Sequence, residues 1–454
     1  MTNWANDAIF YHIYPLGLCG APPTNDLQAE DNFRLNQLND WIGHLSNLGI
    51  NALYLGPVFE SSSHGYDTID YYRVDRRLGN NETLAALTRT LHENGIRVIL
   101  DGVFNHVGRD FWAFRDLQAN MNHSAYRDWF SGINFERRSP YGDPFSYDGW
   151  NGHHNLVKLN LHHPDLRKHL FDAVGSWINQ FNIDGLRLDA ADVIDFDFLS
   201  DLAGFCRSLR SDFWLTGEVI HGDYRKWANP KTLDSTTNYE CYKGLFSSLN
   251  DQNYFEIAYA LNRQFGEHGI YRGLPLYTFA DNHDVTRVAS ALKNPQHLYP
   301  LYTLLFTMPG VPSIYYGSEW GIPGIKEAHD DRSLRPMLER TNLEQNAPIP
   351  GLFQAIKQFI RIHHETPALR QGDYRPLHVS HEQLAFSRSF HGETVVVAIN
   401  AASQPIDLSL KLASQQDGKT FIDLLEPHQP FTSHNGCLKI DSLPPYHAHI
   451  LAMR

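Results

Sequence analysis

The chain has few cysteines, and no two of them stand at a metal-binding spacing. Its 454 residues contain four, which are Cys19, Cys206, Cys241 and Cys437. A structural zinc site or a disulfide framework needs thiols at short, regular intervals, and these four lie far apart in the sequence. We therefore expect free thiols, and neither a zinc-based fold nor a disulfide scaffold.

The sequence also lacks a secretory leader and a long apolar run. Its first ten residues, MTNWANDAIF, have neither a basic start nor an apolar core, so no secretory signal is expected and a cytoplasmic protein is predicted. The most apolar stretch, residues 301–317, is interrupted by Pro309, Gly310 and Pro312. It is too short to cross a bilayer, so no membrane helix is expected.

The chain has fewer basic than acidic residues. The chain has 38 lysine and arginine residues against 51 aspartate and glutamate residues, a formal net charge of −13. Nucleic acids and anionic membranes would repel such a chain, so neither is expected as a partner. Aromatic residues, in contrast, make up 13% of the chain. Sugar rings often stack on aromatic side chains, although this enrichment alone is a weak indication of a carbohydrate ligand.

Short apolar segments alternate with longer amphipathic segments from residue 8 to about residue 320. Strands are predicted at residues 9–14, 52–56, 97–102, 184–189, 214–218, 233–238, 276–282 and 313–317. Strands that are apolar on both faces belong to parallel sheets covered by helices. Eight strand–helix repeats predict the α/β fold class, as a (β/α)8 TIM barrel.

Two stretches depart from this alternation. About 80 residues separate the third predicted strand from the fourth, far more than one crossover needs. Residues 107–164 are therefore predicted as a domain B excursion over the barrel mouth, and residues 1–106 and 165–371 as the catalytic barrel, domain A. From residue 372 a period of two returns, for example at 394–399 and 406–412. It predicts an all-β C-terminal domain, a β-sandwich over residues 372–454.

Ionisable side chains gather at the C-terminal ends of four predicted strands. They are Asp101 and His106 after the third strand, Arg187 and Asp189 after the fourth, Glu218 after the fifth, and His283 and Asp284 after the seventh. Catalytic groups of a TIM barrel lie at this rim, so the pattern predicts an active site there. Taken alone, the Arg187–Asp189 pair is equally well explained as a structural ion pair, and each histidine as a structural residue.

Two carboxyl groups on either side of a bond, one protonated and one ionised, are the groups that cleavage of a glycosidic bond requires. We assign Glu218 as the protonated acid and Asp189 as the ionised nucleophile. Arg187 precedes Asp189 by two residues, which places both side chains on one side of a strand, and we expect it to keep that carboxylate charged. Asp284 is expected to bind sugar hydroxyls and help distort the ring, with the two histidines donating to other hydroxyls.

Four segments resemble the signature regions of the α-amylase family of retaining glycosidases. DGVFNH at 101–106, GLRLD at 185–189, TGEV at 216–219 and FADNHD at 279–284 occur in the family's order. GYD at 65–67 resembles the family's second-loop region, and GVPSIYYGSE at 310–319 its eighth-strand region. The resemblance covers essentially the whole chain and implies a catalytic barrel with a small domain B and a β domain C.

The resemblance implies that Asp189 is the nucleophile, Glu218 the acid/base and Asp284 the stabiliser of the transition state. It also implies that Tyr66 stacks on the sugar at the cleavage site, with Arg187, His106 and His283 around it. A packed aromatic is the alternative for Tyr66. LVKLN at 156–160 is partly similar to a fifth region, MPKLN, that marks neopullulanase-like members.

Asp331 and Arg335 are similar to an Asp and Arg four residues apart that bind the next sugar in cyclodextrin- and maltodextrin-degrading members. A solvent-exposed loop ion pair is the alternative. Where many members have Lys-His after the nucleophile, this chain has Asp192-Val193. That lysine would contact the leaving-side sugar, and the histidine backbone would bind calcium. We therefore expect no metal ligands and no required cofactor, although Asn105 is present and loop carboxylates leave calcium binding open.

The function implied by the resemblance is hydrolysis of α-1,4-glucosidic bonds in maltodextrins, cyclodextrins or starch, with retention. One alternative is a transglycosylase or isomerase acting on α-glucosides through the same intermediate on Asp189. Another is a non-catalytic amylase-like binding module, which the presence of all three carboxylates disfavours. Neither the site of attack along a glucan nor the oligomeric state can be read from the sequence, and a monomer is the default expectation because no N-terminal domain precedes the barrel.

Overall fold

Eight parallel strands form the centre of the larger domain. The computed structural model describes residues 4–328, 330–426 and 430–454. The barrel strands are β1 Phe10–Ile13, β2 Ala52–Leu55, β3 Arg97–Gly102, β4 Gly185–Leu188, β5 Trp214–Gly217, β6 Ser235–Thr236, β7 Tyr277–Phe279 and β8 Val311–Tyr315. Their order is β6-β5-β4-β3-β2-β1-β8-β7, and a parallel bridge between Thr237 and Tyr277 joins the two ends. The predicted (β/α)8 barrel is confirmed.

Three strands differ most from their predicted bounds, because the chain leaves the sheet near the rim. The sixth strand is two residues long because Asn238 turns away to cap the next helix, accepting from the N–H of Cys241. The seventh ends at Phe279, and Asp281 beyond it accepts from the N–H of Val288 at 2.9 Å. The eighth begins at Val311, two residues earlier than predicted, and ends before Gly317, which has φ +85°.

Amphipathic helices cover the barrel. They are α1 Asn39–Leu48, α2 Asn81–Glu93, α3 Trp112–Asn120, α4 Pro164–Phe181, α5 Phe196–Leu209, α6 Tyr239–Asn250, α7 Tyr254–Phe265, α8 Leu298–Thr307, α9 Leu352–Glu365 and α10 Pro367–Gln371, with shorter helices at Pro15–Leu18, Val288–Ala291 and Arg340–Gln345. Local signals set their ends: Asn80 caps α2 in a capping box, and Asn182, in the left-handed region, ends α4. No helix in the described ranges is long and apolar enough to cross a membrane.

Two small sheets extend from the loops at the C-terminal rim. After β2, strands Phe59–Ser61 and Thr68–Val74 form a hairpin that carries Tyr66 in its connection. After β3, His106–Gly108, His153–Lys158 and Gly149–Trp150 form a three-stranded sheet beside α3. This second sheet begins at His106, one residue before the segment predicted as domain B, and otherwise lies within that segment.

The C-terminal region is all-β, as predicted. Its strands are β9 Arg375–Val379, β10 Gln383–Phe390, β11 Glu393–Asn400, β12 Ile406–Lys411, β13 Thr420–Asp423, β14 Pro430–His434, β15 Cys437–Leu443 and β16 His447–Met453. They follow one antiparallel order, β9-β10-β11-β16-β13-β14-β15-β12, around a core that includes Val396, Leu410 and Phe421. The pairings of β14 with β13 and with β15 join all eight strands into this one order, in a barrel-like domain. Residues 1–3, 329 and 427–429, which the predicted domains include, lie outside the described residues.

Candidate active site

Arg187 is the residue around which the rim is assembled. The register of β3 against β4 places it opposite Asp101, and its side chain is almost completely buried. Its Nη1 lies 2.8 and 2.9 Å from the two carboxylate oxygens of Asp101 and 3.1 Å from Oδ1 of Asp189. Its Nη2 lies 2.7 Å from Oε2 of Glu218. One guanidinium therefore holds three carboxyl groups that come from three adjacent strands.

Asp101 fixes the other side of this cluster. Its Oδ2 accepts from the hydroxyl of Tyr54 at 2.8 Å and from that of Tyr66 at 3.0 Å. Tyr54 lies on β2, inside the barrel, and its ring stacks on that of His12 at a centroid distance of 4.1 Å. Sequence reasoning missed Tyr54, whose position inside a buried strand gave no sign that its hydroxyl reaches a rim carboxylate.

Asp189 is buried beside a net negative cluster. Burial raises the pKa of Asp189 well above its usual value, and Glu218, Asp101 and Asp284 raise it further, against the opposing effect of Arg187. We expected Arg187 to keep this carboxylate charged. Arg187 does act in that direction, but one guanidinium shared among three carboxyl groups does not offset both burial and their mutual repulsion.

His106 lies beside the proposed nucleophile. Its Nε2 is 4.0 Å from Oδ2 of Asp189, and its ring centroid is 5.6 Å from that of Trp150 in the domain B sheet. Burial lowers the pKa of His106 to about 3, so the imidazole is neutral at physiological pH. Its Nε2 has no hydrogen-bond partner among the described residues. A sugar hydroxyl could pair with it.

Glu218 follows β5, and two groups other than Arg187 hold it. Its Oε2 accepts from the backbone N–H of Ala190 at 3.2 Å, and its Oε1 from the hydroxyl of Tyr239 at 3.3 Å. Ala190 adopts the left-handed conformation, with φ 44°, directly after Asp189. That rare conformation for a non-glycine residue directs its N–H toward Glu218. Sequence reasoning missed Tyr239, which enters from the start of α6.

Asp284 is the most accessible of the three proposed catalytic carboxyl groups, with 34% of its side chain exposed. Its Oδ2 lies 2.9 Å from Nε2 of His283, and its Oδ1 accepts from Nη2 of Arg335 at 2.9 Å. Although burial opposes the shift, His283, Arg335 and Arg187 lower the pKa of Asp284. These cations therefore favour the ionised form of Asp284.

Tyr66 and His283 form an aromatic wall. Their ring planes are 11° from parallel with centroids 5.4 Å apart, and the tyrosine hydroxyl makes a short hydrogen bond to Nε2 of His283. The ring of Tyr14 also lies nearly parallel to that of His283, with centroids 5.9 Å apart. Tyr66 is thus a packed aromatic residue, the alternative considered above, and it also borders the carboxylates.

Arg335 is buried at this wall. Only 11% of its side chain is exposed, its Nε donates to the carbonyl of His283 at 3.0 Å, and its Cζ lies 4.6 Å from the ring centre of Tyr14. Asp331, with 36% of its side chain exposed, lies 3.0 Å from Arg335 Nη2. The alternative of a solvated loop pair does not describe the arginine. All nine predicted site residues are therefore linked by contacts to one another.

The resemblance would place calcium beside Asn105 and the backbone of Val193. The buried Asn105 contacts Nδ1 of its neighbour His106 at 3.2 Å. Where many relatives have a histidine, Val193 is 51% exposed. Within residues 4–328, 330–426 and 430–454, no group of three or more His, Cys, Asp or Glu side chains is arranged to hold a metal. No step proposed below uses a metal.

Comparison with known families gives a match over most of the chain. The family described as "Alpha amylase, catalytic domain" matches residues 34–348, which is more than half of the sequence. The chain belongs to the α-amylase family. A second family, "Maltogenic Amylase, C-terminal domain", matches residues 374–450.

Named relatives within the α-amylase family agree with this assignment. A cyclomaltodextrinase of Geobacillus thermopakistaniensis is 30% identical over 466 aligned positions, covering 98% of this chain and 76% of that protein. Neopullulanase 2 of Thermoactinomyces vulgaris is 30% identical over 476 positions, covering 99% and 78%. A solved cyclomaltodextrinase structure superimposes with a TM-score of 0.85 at 28% identity, covering 99% of this chain and 78% of that one. The chain is thus a glycoside hydrolase of the α-amylase family.

Proposed function

We propose that this α-amylase family member hydrolyses α-1,4-glucosidic bonds by double displacement, with Asp189 as nucleophile, Glu218 as acid/base and Asp284 as transition-state stabiliser. The observation that carries the proposal is the Arg187 guanidinium, whose two terminal nitrogens reach Asp189 and Glu218. Retaining glycosidases need their two carboxyls close together, without room for a water between nucleophile and sugar.

In the first step, Glu218 donates its proton to the glycosidic oxygen while a carboxylate oxygen of Asp189 attacks C1. The C1–O bond breaks, the leaving glucan departs as an alcohol, and a glycosyl ester forms on Asp189. The cluster suits this step because four carboxyls, those of Asp101, Asp189, Glu218 and Asp284, face few cations. Their mutual repulsion favours a state in which the cluster keeps one proton. The reaction requires that proton to be on Glu218.

In the second step, Glu218 removes a proton from water as the water oxygen attacks C1. The ester bond to Asp189 breaks, Glu218 regains its proton, and the product keeps the α configuration after two inversions. Asp284 is placed to favour the positive charge that develops on the ring in both steps, because His283 and Arg335 keep it ionised.

The walls of the site suit a glucose unit. The aromatic face of Tyr66 offers a stacking surface, and the neutral His106 offers a free nitrogen to a hydroxyl. We propose that Asp331 and Arg335 hold the neighbouring sugar on the non-reducing side, since they lie just beyond Asp284. The names of the relatives favour cyclodextrins and maltodextrins as the substrates.

The substrate class is tested by a product time course from γ-cyclodextrin and from soluble starch, resolved by chromatography. Wild type is compared with Glu218→Gln and with Glu240→Gln, a surface control whose carboxylate pairs with Arg263. Rapid ring opening with maltose or glucose as products, lost only in Glu218→Gln, supports a cyclodextrin and maltodextrin hydrolase. Medium-length products from starch with an intact ring would instead indicate an endo-acting α-amylase.

We also propose a reducing, cytoplasmic location. It is supported by the four free cysteines, three of which are buried. Cell fractionation with an antibody against the chain tests this, and recovery of the protein from the medium would contradict it.

A further inference from the structure

A cleft lies on the face of the barrel opposite the carboxylates. Its floor is formed by the N-terminal approaches to β7 and β8, at 273–275 and 309–311, and its far wall by residues 370–374 and 388–391 of the C-terminal region. The volume is about 490 Å³, within the roughly 300–1,000 Å³ range of small-molecule sites. Active-site residues come from the other ends of the same strands, so the cleft is a separate feature.

The cleft is lined by positive groups in a protein with a net charge of −13. Three arginines, Arg272, Arg370 and Arg388, line it, against one carboxylate, that of Asp373. The Asp373 side chain accepts from the N–H of Ser389 at 2.9 Å. The local excess of guanidinium groups over carboxylates is thus opposite to the balance of the whole chain.

Arg388 is the unusual member of this set. It is 1% exposed, and its three nitrogens donate to the carbonyls of Thr307, Gly372 and Asp373 at 2.8, 2.9 and 2.8 Å. It has no carboxylate partner within the described part of the chain. Burial lowers the pKa of Arg388 to about 9. The Asp373 carboxylate raises this pKa without offsetting burial, so the buried cation remains costly, and a further anion beside it would reduce that cost.

The other two arginines differ in the hydrogen bonds and ion pairs that they already make. Arg370 forms an ion pair with Asp7, with Nη1 2.5 Å from Oδ1. Arg272, which is exposed, donates only to the carbonyl of Glu267 at 3.2 Å in the described structure. Arg272 and Arg388 therefore have donors to spare for a ligand. Guanidinium groups bind phosphate oxygens in a two-pronged geometry, which makes a phosphate group a good match.

The remaining walls are aromatic. Phe265 at the end of α7, Tyr374 and Phe390 line the same space. Such rings suit a flat, partly apolar face of a ligand better than a bare ion. We propose that this cleft binds a phosphorylated monosaccharide, with the phosphate at Arg272 and Arg388 and the sugar ring on the aromatic wall.

The proposal is tested with the full chain by calorimetric titration and thermal unfolding, using glucose 1-phosphate, glucose 6-phosphate, inorganic phosphate and glucose. At least one sugar phosphate is expected to bind saturably and raise Tm, and glucose to do neither. Arg272→Gln with His391→Gln should weaken binding roughly tenfold or more, because a charge-assisted contact is lost. Arg361→Gln, an exposed helix arginine paired with Glu365, is the matched control.

The variants carry exposed substitutions, and unchanged hydrolysis of γ-cyclodextrin confirms that they are folded. Absence of saturable binding by either sugar phosphate overturns the proposal. So does equal binding by inorganic phosphate, because the aromatic wall would then contribute nothing. Equal binding by the double variant and the Arg361→Gln control overturns it as well, because it places the ligand elsewhere.

Discussion

Nη2 of Arg187 lies 2.7 Å from Oε2 of Glu218. The contact ties the end of β4 to the end of β5, and it brings the proposed acid/base under the same cation that touches the proposed nucleophile. Because Arg187 is 4% exposed, solvent does not screen these charges. Protonation of one carboxyl is therefore linked to protonation of the others, and this coupling underlies the predictions for the active site.

Asp189→Asn is expected to abolish turnover while substrate is still bound. The amide keeps the size of the side chain but cannot form the glycosyl ester, so kcat should fall at least about 10³-fold. Steady-state kinetics on maltodextrin give kcat, and calorimetric titration gives the affinity. A variant that retained a tenth of wild-type kcat would rule out Asp189 as the nucleophile.

The same variant should be more stable than wild type at neutral pH. Folding raises the pKa of Asp189, so the folded state favours the protonated carboxyl group. The stability that this gives to the wild type is fully present below the unfolded pKa of about 3.9 and is lost as pH rises through the folded pKa. Asparagine does not titrate, so the advantage of the variant should shrink as pH falls toward 4. Urea unfolding at pH 7 and at pH 4.5 measures this. A wild type that is the more stable protein at pH 7 would contradict the raised pKa.

Arg335→Met should move the acid limb of the activity profile to higher pH. His283, Arg335 and Arg187 together hold the pKa of Asp284 below its usual value. With one of these cations removed, Asp284 takes up its proton at a higher pH, so activity is lost earlier on acidification. Arg332→Met is the control, since Arg332 is 85% exposed and pairs with Asp330. Profiles of kcat/KM against pH that coincide for both variants would refute this role of Arg335.

Glu319→Ala should destabilise the barrel strongly. Glu319 is completely buried, and its Oε1 accepts from Tyr11 Oη at 2.6 Å and contacts His44 Nε2 at 2.8 Å. Removal leaves two buried polar groups unpaired, at a cost of about 3–5 kcal/mol. The control Glu344→Ala removes a half-exposed helix pair with Arg340 and should change stability by less than about 1 kcal/mol. Urea midpoints followed by tryptophan fluorescence measure both, and equal midpoints would contradict the assignment.

Much of the architecture could be predicted from the sequence, because buried parallel strands leave a local signal. Segment 97–102 is apolar until it reaches Asp101, and the structure has the strand over those residues, Arg97–Gly102. The rim residues could be predicted for the same reason, since each follows such a strand. The family resemblance added Tyr66, Asp331 and Arg335, which lie in loops without periodicity.

The contacts that set the charges could not be predicted in this way. The pairing of Asp101 with Arg187 depends on the register between β3 and β4, across 86 positions of the chain. The contact of Tyr239 with Glu218 depends on where α6 begins relative to β5. The net rise in the pKa of Asp189 could not be predicted for a related reason, because spacing along one strand does not reveal how many other carboxyls share its arginine.

The most direct test of the double-displacement proposal is to trap the intermediate. Glu218→Gln would be mixed with α-maltosyl fluoride, whose leaving group needs no proton, then digested and analysed by mass spectrometry, with Glu218→Gln/Asp189→Asn as control. We predict that the peptide containing Asp189 gains one maltosyl group, and that the control gains none. A maltosyl group on a different residue, or consumption of the fluoride to give β-maltose without any labelled peptide, would contradict the account.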